Sequence, residues 1–132
     1  MPVSETARAS RLAVEIWSTY ARVRRVVHRR PLPDLVEELL HASDLDGEQV
    51  DPADLSTAVD RRLSLGRRRP TCLASALVLF RLLRRRGRKA QLVIGLPEDP
   101  LTHEAHAWVE LDGRDVGPPP GRNGHIELAR FG

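Results

Sequence analysis

The hydrophobic pattern of this chain changes at Gly87, and this change limits the possible folds more than any other feature. Before Gly87, apolar residues recur at steps of three and four, which is the spacing of one face of a helix. After Gly87, short apolar runs are bounded by Gly and Pro, a pattern typical of strands. We therefore predict an α+β fold class, in which a helical N-terminal half packs on a small antiparallel sheet.

Four helices are predicted, each bounded by residues that favour a helix start or stop. Predicted N-caps are Ser4, Asp34, Asp51 and Thr71. Predicted stops are Pro31 and Pro33 after the first helix, Gly66 after the third and Gly87 after the fourth. The buried faces of the first and fourth helices are predicted to carry Leu12, Ile16, Tyr20, Val23 and Val27, and Leu73, Ala76, Leu77, Phe80 and Leu83.

The strands are predicted from shorter segments. The run KAQLVIGL is read as one strand, and EAHAWVELDGRDVG as a hairpin whose two-residue turn is Asp112-Gly113. The tail HIELARF is compatible with either a strand or a final helical turn. No repeat divides the chain, so we predict a single domain over residues 1–132, mainly helical over 1–66, with a further helix and the sheet over 67–132.

Composition excludes several classes of protein. The 21 basic and 18 acidic residues are interleaved and give a formal charge of +3, which is too mild to indicate a nucleic-acid binder. A single cysteine excludes an internal disulfide and a zinc site built from several thiolates. The first residues lack a signal-peptide pattern, and no apolar run approaches about 18 residues. We expect a soluble cytoplasmic protein with no cofactor, no metal and no membrane or nucleic-acid partner.

Cys72, the one cysteine, falls in the predicted first turn of the fourth helix. Unpaired backbone N–H groups and the helix dipole favour an anion there, and the thiolate is the nucleophilic form of cysteine. The three arginines at residues 67–69 would add to that positive field. An unpaired cysteine is also commonly a small buried hydrophobe, so the position alone leaves both interpretations open.

A thiolate nucleophile needs a base, and His106 lies in the predicted strand of HEAHAWVEL. A cysteine at a helix start and a histidine on a later strand form the general arrangement of cysteine hydrolases. His103 is three residues away and would face the other side of a regular strand, a poor geometry for chelating a metal. No ligand-pair spacing supports a metal site made of Cys72, His106 and His125.

The segments PTCLASALVLFRLLRRRGRKAQLVIGL and AHAWVELDGRDVG together resemble the stand-alone transglutaminase-like leader peptidase of lasso-peptide biosynthesis. The resemblance is most specific over residues 67–117 and extends more loosely over most of the chain. It implies a transglutaminase-like, papain-like core and a cysteine endopeptidase that removes the leader from a ribosomally made precursor peptide. It also implies partners, namely the precursor peptide, a separate leader-recognition protein and an ATP-dependent lasso cyclase.

Carried over position by position, the resemblance implies that Cys72 is the nucleophile and His106 the general base. It also implies an aspartate on the following strand that orients the imidazole, and Asp115 is the residue that this strand offers. A two-residue turn pairs Glu110 with Asp115, which places Asp115 about 13 Å along the strand from the level of His106. Asp115 is our predicted third residue, and Asn123 in the following loop is the alternative.

Two other functions are compatible with the same residues. An acyl transferase of the transglutaminase type would use the same Cys-His pair to join an acyl group to an amine. A non-catalytic basic adaptor would bind a peptide or nucleic acid and keep Cys72 merely packed. The reactivity of the thiol separates the adaptor from the two enzymes.

Overall fold

A computed structural model of the chain describes residues 5–41, 50–66, 70–99, 101, 104–117 and 121–132. The described residues form four helices and then four strands. The elements are α1 (Glu5–Val26), α2 (Leu32–His41), α3 (Pro52–Leu63), α4 (Cys72–Arg85), β1 (Gln91–Pro97), β2 (His106–Leu111), β3 (Arg114–Val116) and β4 (His125–Phe131). The predicted α+β class is confirmed, with the helical half packed against an antiparallel sheet. None of the described helices is both long and apolar enough to cross a membrane.

Local capping groups set the start of α3 and the start and end of α4, as predicted. The Asp51 carboxylate accepts a hydrogen bond from the N–H of Ala53 at 2.9 Å, and the Thr71 hydroxyl accepts one from Ala74 at 3.1 Å. Gly87 has a φ of 76°, the left-handed conformation that ends helices at glycine. Cys72 is therefore the first residue of α4.

The predicted start of the second helix was wrong. α1 ends at Val26, and α2 begins at Leu32, so Pro33 and Asp34 lie inside its first turn rather than before it. A proline is tolerated there because the first turn has no acceptor for the missing N–H. The predicted cap at Ser4 and nearly all of the predicted loop over residues 43–50 lie outside the described residues.

α4 is the central element of the core. Every residue from Ala76 to Leu83 is buried, so the helix is covered on all sides rather than along the single stripe that its sequence predicts. The other three helices and strands β1 and β2 all contact it. Even Arg81 is buried, with its guanidinium donating to the Leu39 carbonyl at 3.0 Å. This packing fixes the position of the helix end that carries Cys72.

The sheet has the strand order β3-β2-β1-β4, and each neighbouring pair is antiparallel. Asp112 and Gly113 have φ values of 53° and 77°, the two positive angles of a type I′ turn, and the predicted pairing of Glu110 with Asp115 is confirmed. The tail is a strand, β4, which pairs with β1 and contains a register shift opposite Ile94 and Gly95. This pairing places His125, at the start of β4, near the level of His106 at the start of β2, with β1 between the two strands.

Side chains of β2 alternate between two faces of the sheet. Ala107 and Val109 belong to the hydrophobic core beside α4. His106, Trp108 and Glu110 therefore share the opposite face, because successive residues of a strand point to opposite sides. The face that holds His106 thus also holds a large aromatic ring and a buried carboxylate.

Candidate functional site

A partly open pocket of about 390 Å³ lies where α3, the start of α4 and the β2–β3 hairpin meet. Cys72 and His106 both line it, together with Ser75 and Trp108. Val59, Leu63, Leu79 and Val109 supply an apolar wall. The structure therefore brings the predicted nucleophile and the predicted base to one cavity.

Cys72 is exposed at the first position of α4. The interpretation in which this cysteine is a small core residue is therefore wrong, since its thiol faces the solvent and the pocket. As in the first turn of any helix, its backbone N–H has no acceptor within the helix and is available to a bound oxyanion. Residues 67–69, whose arginines were predicted to add positive charge here, lie outside the described residues.

His106 is held among aromatic rings. Its imidazole stacks on the Trp108 indole with centroids 5.8 Å apart and planes 26° apart. The ring of His125 lies on another side, at a centroid distance of 4.8 Å. Burial, and secondarily the charge of His125, lower the pKa of His106 below its ordinary value. His106 is therefore a neutral imidazole at neutral pH, the form that can accept a proton.

The structure shows His125 to be a close neighbour of His106, which the sequence had suggested only as an unsupported metal ligand. Pairing of β4 with β1 sets His125 opposite Pro97, while His106 on β2 lies opposite Gly95. The His125 Nδ1 lies 2.9 Å from the Asn123 carbonyl, and because a carbonyl can only accept, Nδ1 carries the proton. In neutral His125 the free acceptor is therefore Nε2.

Asp115 is not brought to the pocket. It pairs with Glu110 as predicted, four residues along β2 from His106, or about 13 Å at the usual strand rise. Its carboxylate accepts a hydrogen bond from the Arg122 N–H at 3.0 Å and braces the turn at residues 121–124. The orienting role of Asp115 stays a prediction, to which these contacts lend no support. For Asn123, the alternative, the structure shows a contact of its main-chain carbonyl with His125, and the orienting role of its side chain stays a prediction.

Glu110 is a buried carboxylate, 2% exposed, for which the sequence indicated no functional role beyond its pairing with Asp115. Its oxygens accept hydrogen bonds from the Trp108 indole at 2.8 Å, from Arg122 at 2.9 Å and from Arg130 at 3.0 Å. Burial alone would raise the pKa of Glu110, but these three hydrogen bonds together hold it below its usual value. The carboxylate is therefore ionised, and it binds the tryptophan on which His106 stacks.

The described residues contain no group of three His, Cys, Asp or Glu side chains that could hold a metal ion. His103, whose spacing from His106 was judged a poor geometry for chelating a metal, lies outside the described residues.

The contact between the imidazoles of His106 and His125 predicts that His125 affects the pKa of His106. His125→Gln removes one of the two causes that lower the pKa of His106, so this pKa is expected to rise, while burial keeps it below the ordinary value. Titration of the imidazole protons by NMR measures the change directly. His28→Gln, at an exposed residue after α1, is the matched control and should leave the His106 titration unchanged. An unchanged pKa of His106 in His125→Gln would contradict the coupling.

Comparison with known proteins places the chain in a family. The model of the transglutaminase-like superfamily matches residues 16–127. This range includes Cys72, His106 and the whole of strands β1, β2 and β3. No curated protein and no solved structure matched the chain at a significant level. The superfamily comprises cysteine proteases and acyltransferases and is commonly catalytic. A thiol at a helix start that shares a pocket with a neutral imidazole suits that chemistry, and the chain belongs to the transglutaminase-like superfamily.

Proposed function

We propose that this protein is a cysteine endopeptidase that removes the leader from a ribosomally made precursor peptide during lasso-peptide maturation. The observation that carries the proposal is the shared pocket of Cys72 and His106 in a chain of the transglutaminase-like superfamily. The resemblance of residues 67–117 to lasso leader peptidases supports the choice of substrate. The exposed thiol argues against an adaptor in which the cysteine is only packed.

In the first half of the reaction, neutral His106 accepts the proton of the Cys72 thiol, and the thiolate attacks the carbonyl carbon of the scissile peptide bond. The backbone N–H of Cys72 donates to the developing oxyanion. The imidazolium of His106 then protonates the leaving amine, which departs as the new amino terminus of the core peptide. The leader remains attached to the sulfur as a thioester.

In the second half, His106 removes a proton from a water molecule that attacks the thioester carbonyl. The tetrahedral intermediate collapses, the leader leaves with a new carboxylate, and the proton returns to the sulfur of Cys72. An acyl transferase would pass through the same thioester and replace the water with an amine. The exposure of Cys72 lets water reach the thioester without an opening step.

We further propose that the reaction takes place in the cytoplasm with separate partners. The precursor peptide is the substrate, a separate leader-recognition protein presents it, and an ATP-dependent lasso cyclase acts on the released core. The partly open pocket and its apolar wall suit one side chain of an extended peptide, while the rest of the leader is left to the recognition protein. No nucleic acid and no membrane enters the reaction.

The test is mass spectrometry of the precursor peptide after incubation with the protein and the leader-recognition protein. We expect two products, a leader with a free carboxylate and a core peptide with a free amino terminus. A leader joined to an added amine, with no hydrolysed leader, would identify an acyl transferase instead. An intact precursor in the presence of the recognition protein would contradict both enzymes.

Asp115→Asn tests the prediction that Asp115 orients the imidazole of His106. In serine proteases, loss of the carboxylate that orients the catalytic histidine lowers kcat by about 10⁴-fold. Asparagine keeps a side-chain oxygen that accepts the hydrogen bond of the Arg122 N–H, so the observed contact survives. Because about 13 Å of strand separates Asp115 from His106, we expect leader release to change no more than a few-fold. A drop of several orders of magnitude in kcat would restore Asp115 as the orienting acid.

A further inference from the structure

We propose that Glu110 is a positioning residue for His106 and acts through the indole ring of Trp108. The inference rests on the proposed function of His106 as the base and deepens it, since it names what holds the imidazole in place. It assigns a task to a buried carboxylate that the hydrolytic mechanism does not itself use.

The three residues form one continuous row on the same face of β2. His106 stacks on Trp108, and the Trp108 indole N–H donates to Glu110 at 2.8 Å. Trp108 and Glu110 are 5% and 2% exposed, so neither side chain has room to turn away from this arrangement. A fixed indole plane limits the tilt of the imidazole that lies against it.

The far edge of the indole is held by the neighbouring strand. A Cβ at Gly95 would lie 2.7 Å from the six-membered ring of Trp108 and 2.7 Å from the Ile126 carbonyl oxygen. Gly95 on β1 pairs with His106 on β2. The indole therefore occupies the space that a side chain at position 95 would fill. The ring is thus confined at one end by backbone and anchored at its nitrogen by Glu110.

Glu110 is itself fixed by two arginines from outside the pocket. Arg122 and Arg130 each donate to its carboxylate and also bind Glu127, at 2.7 and 2.6 Å. Burying a carboxylate is unfavourable unless donors replace its water, and Glu110 has three donors. Of these, only the Trp108 indole contacts the candidate base.

This arrangement also agrees with the ionisation of His106. A carboxylate bonded to the imidazole would raise the pKa of His106, whereas burial and the charge of His125 lower it. Support by a stacked ring holds the imidazole in place without favouring its charged form. The base is therefore positioned and still neutral.

The experiment compares Glu110→Leu with Glu110→Gln. In the wild type, we expect the stacked indole to shift the imidazole protons of His106 upfield in NMR spectra, and His106→Gln assigns the signals. Glu110→Leu should lose that upfield shift and lower kcat for leader release by up to about 100-fold with little change in KM, because a misplacement of about 1 Å can have that effect. Glu110→Gln keeps an oxygen for the indole N–H and should restore the upfield shift and most of kcat.

Glu127→Gln is the matched control, because Glu127 binds the same two arginines and makes no described contact with Trp108. It should leave both the upfield shift and kcat near those of the wild type. If Glu110→Leu folds poorly, Trp108→Phe replaces it, since this variant keeps a ring but removes the indole N–H that Glu110 binds. It should then weaken the upfield shift and lower kcat.

Retention of the wild-type upfield shift and kcat in Glu110→Leu, or in Trp108→Phe if that variant is used, would overturn the proposal. Equal losses of kcat in Glu110→Gln, Glu110→Leu and Glu127→Gln, with the upfield shift intact, would also overturn it, because they would assign the cluster a structural role alone. The upfield shift is measured without substrate. A wild-type protein that shows it but cuts no precursor would therefore contradict the proposed peptidase and not the positioning of His106.

Discussion

Cys72→Ala is expected to abolish release of the leader from the precursor peptide, by at least about 10³-fold, because no other group in the mechanism forms the covalent intermediate. Cys72 is exposed at the first position of α4, so removal of its sulfur leaves no cavity in the core. The free energy of unfolding should change by less than about 0.5 kcal/mol. Mass spectrometry of the precursor measures the first effect, and urea denaturation measures the second.

Ser75→Ala is the matched control for this variant. Ser75 lines the same pocket one turn further along α4 and takes no part in the proposed steps, so this variant should release the leader at a rate near that of the wild type. Cleavage by folded Cys72→Ala at the wild-type rate would show that another residue attacks the peptide bond. A loss in Ser75→Ala as large as in Cys72→Ala would show that the pocket is sensitive to any change.

Phe80→Ala is expected to produce the largest loss of stability, about 3–5 kcal/mol in the free energy of unfolding. Phe80 is fully buried near the middle of α4, and its ring also supports the guanidinium of Arg84 at 5.5 Å. Domains of this size are stable by only about 5–15 kcal/mol, so the variant should be partly unfolded near physiological temperature. Urea denaturation gives the free energy of unfolding directly.

Leu65→Ala is the control for Phe80→Ala. Leu65 is 77% exposed, so its removal should change the free energy of unfolding by no more than about 0.5 kcal/mol. A loss below about 1 kcal/mol in Phe80→Ala would contradict the central place of α4 in the core.

Local features of the fold were predictable because their causes are local. The caps at Asp51 and Thr71 and the type I′ turn at Asp112-Gly113 each depend on two to four consecutive residues. The start of α2 was misplaced because Pro33 has the same sequence signature in a first helical turn as after a helix end. The burial of α4 on all sides depends on how many elements surround it, which its own periodicity does not record.

Pairings between distant segments account for what the sequence could not predict. The tail was compatible with a strand or a helical turn. Its pairing with β1 is what brings the ring centroid of His125 to 4.8 Å from that of His106. The register of the β2–β3 hairpin, in contrast, follows from its turn, and that correctly predicted register is what separates Asp115 from His106. His106, Trp108 and Glu110 are spaced two residues apart, so the sequence alone places them on one face of β2. That spacing indicates a functional row only once the structure shows that both faces of β2 are covered.

The central claim is that Cys72 and His106 act as one nucleophile–base pair, and the alkylation rate of the single cysteine tests it most directly. Iodoacetamide reacts with the thiolate, and neutral His106 can accept the thiol proton, so we expect the native protein to be modified faster at neutral pH than the unfolded protein. His106→Gln should reduce the rate to that of an ordinary thiol, which the unfolded protein supplies as the reference. Equal rates in the folded wild type and in folded His106→Gln, with the same pH dependence, would contradict the account.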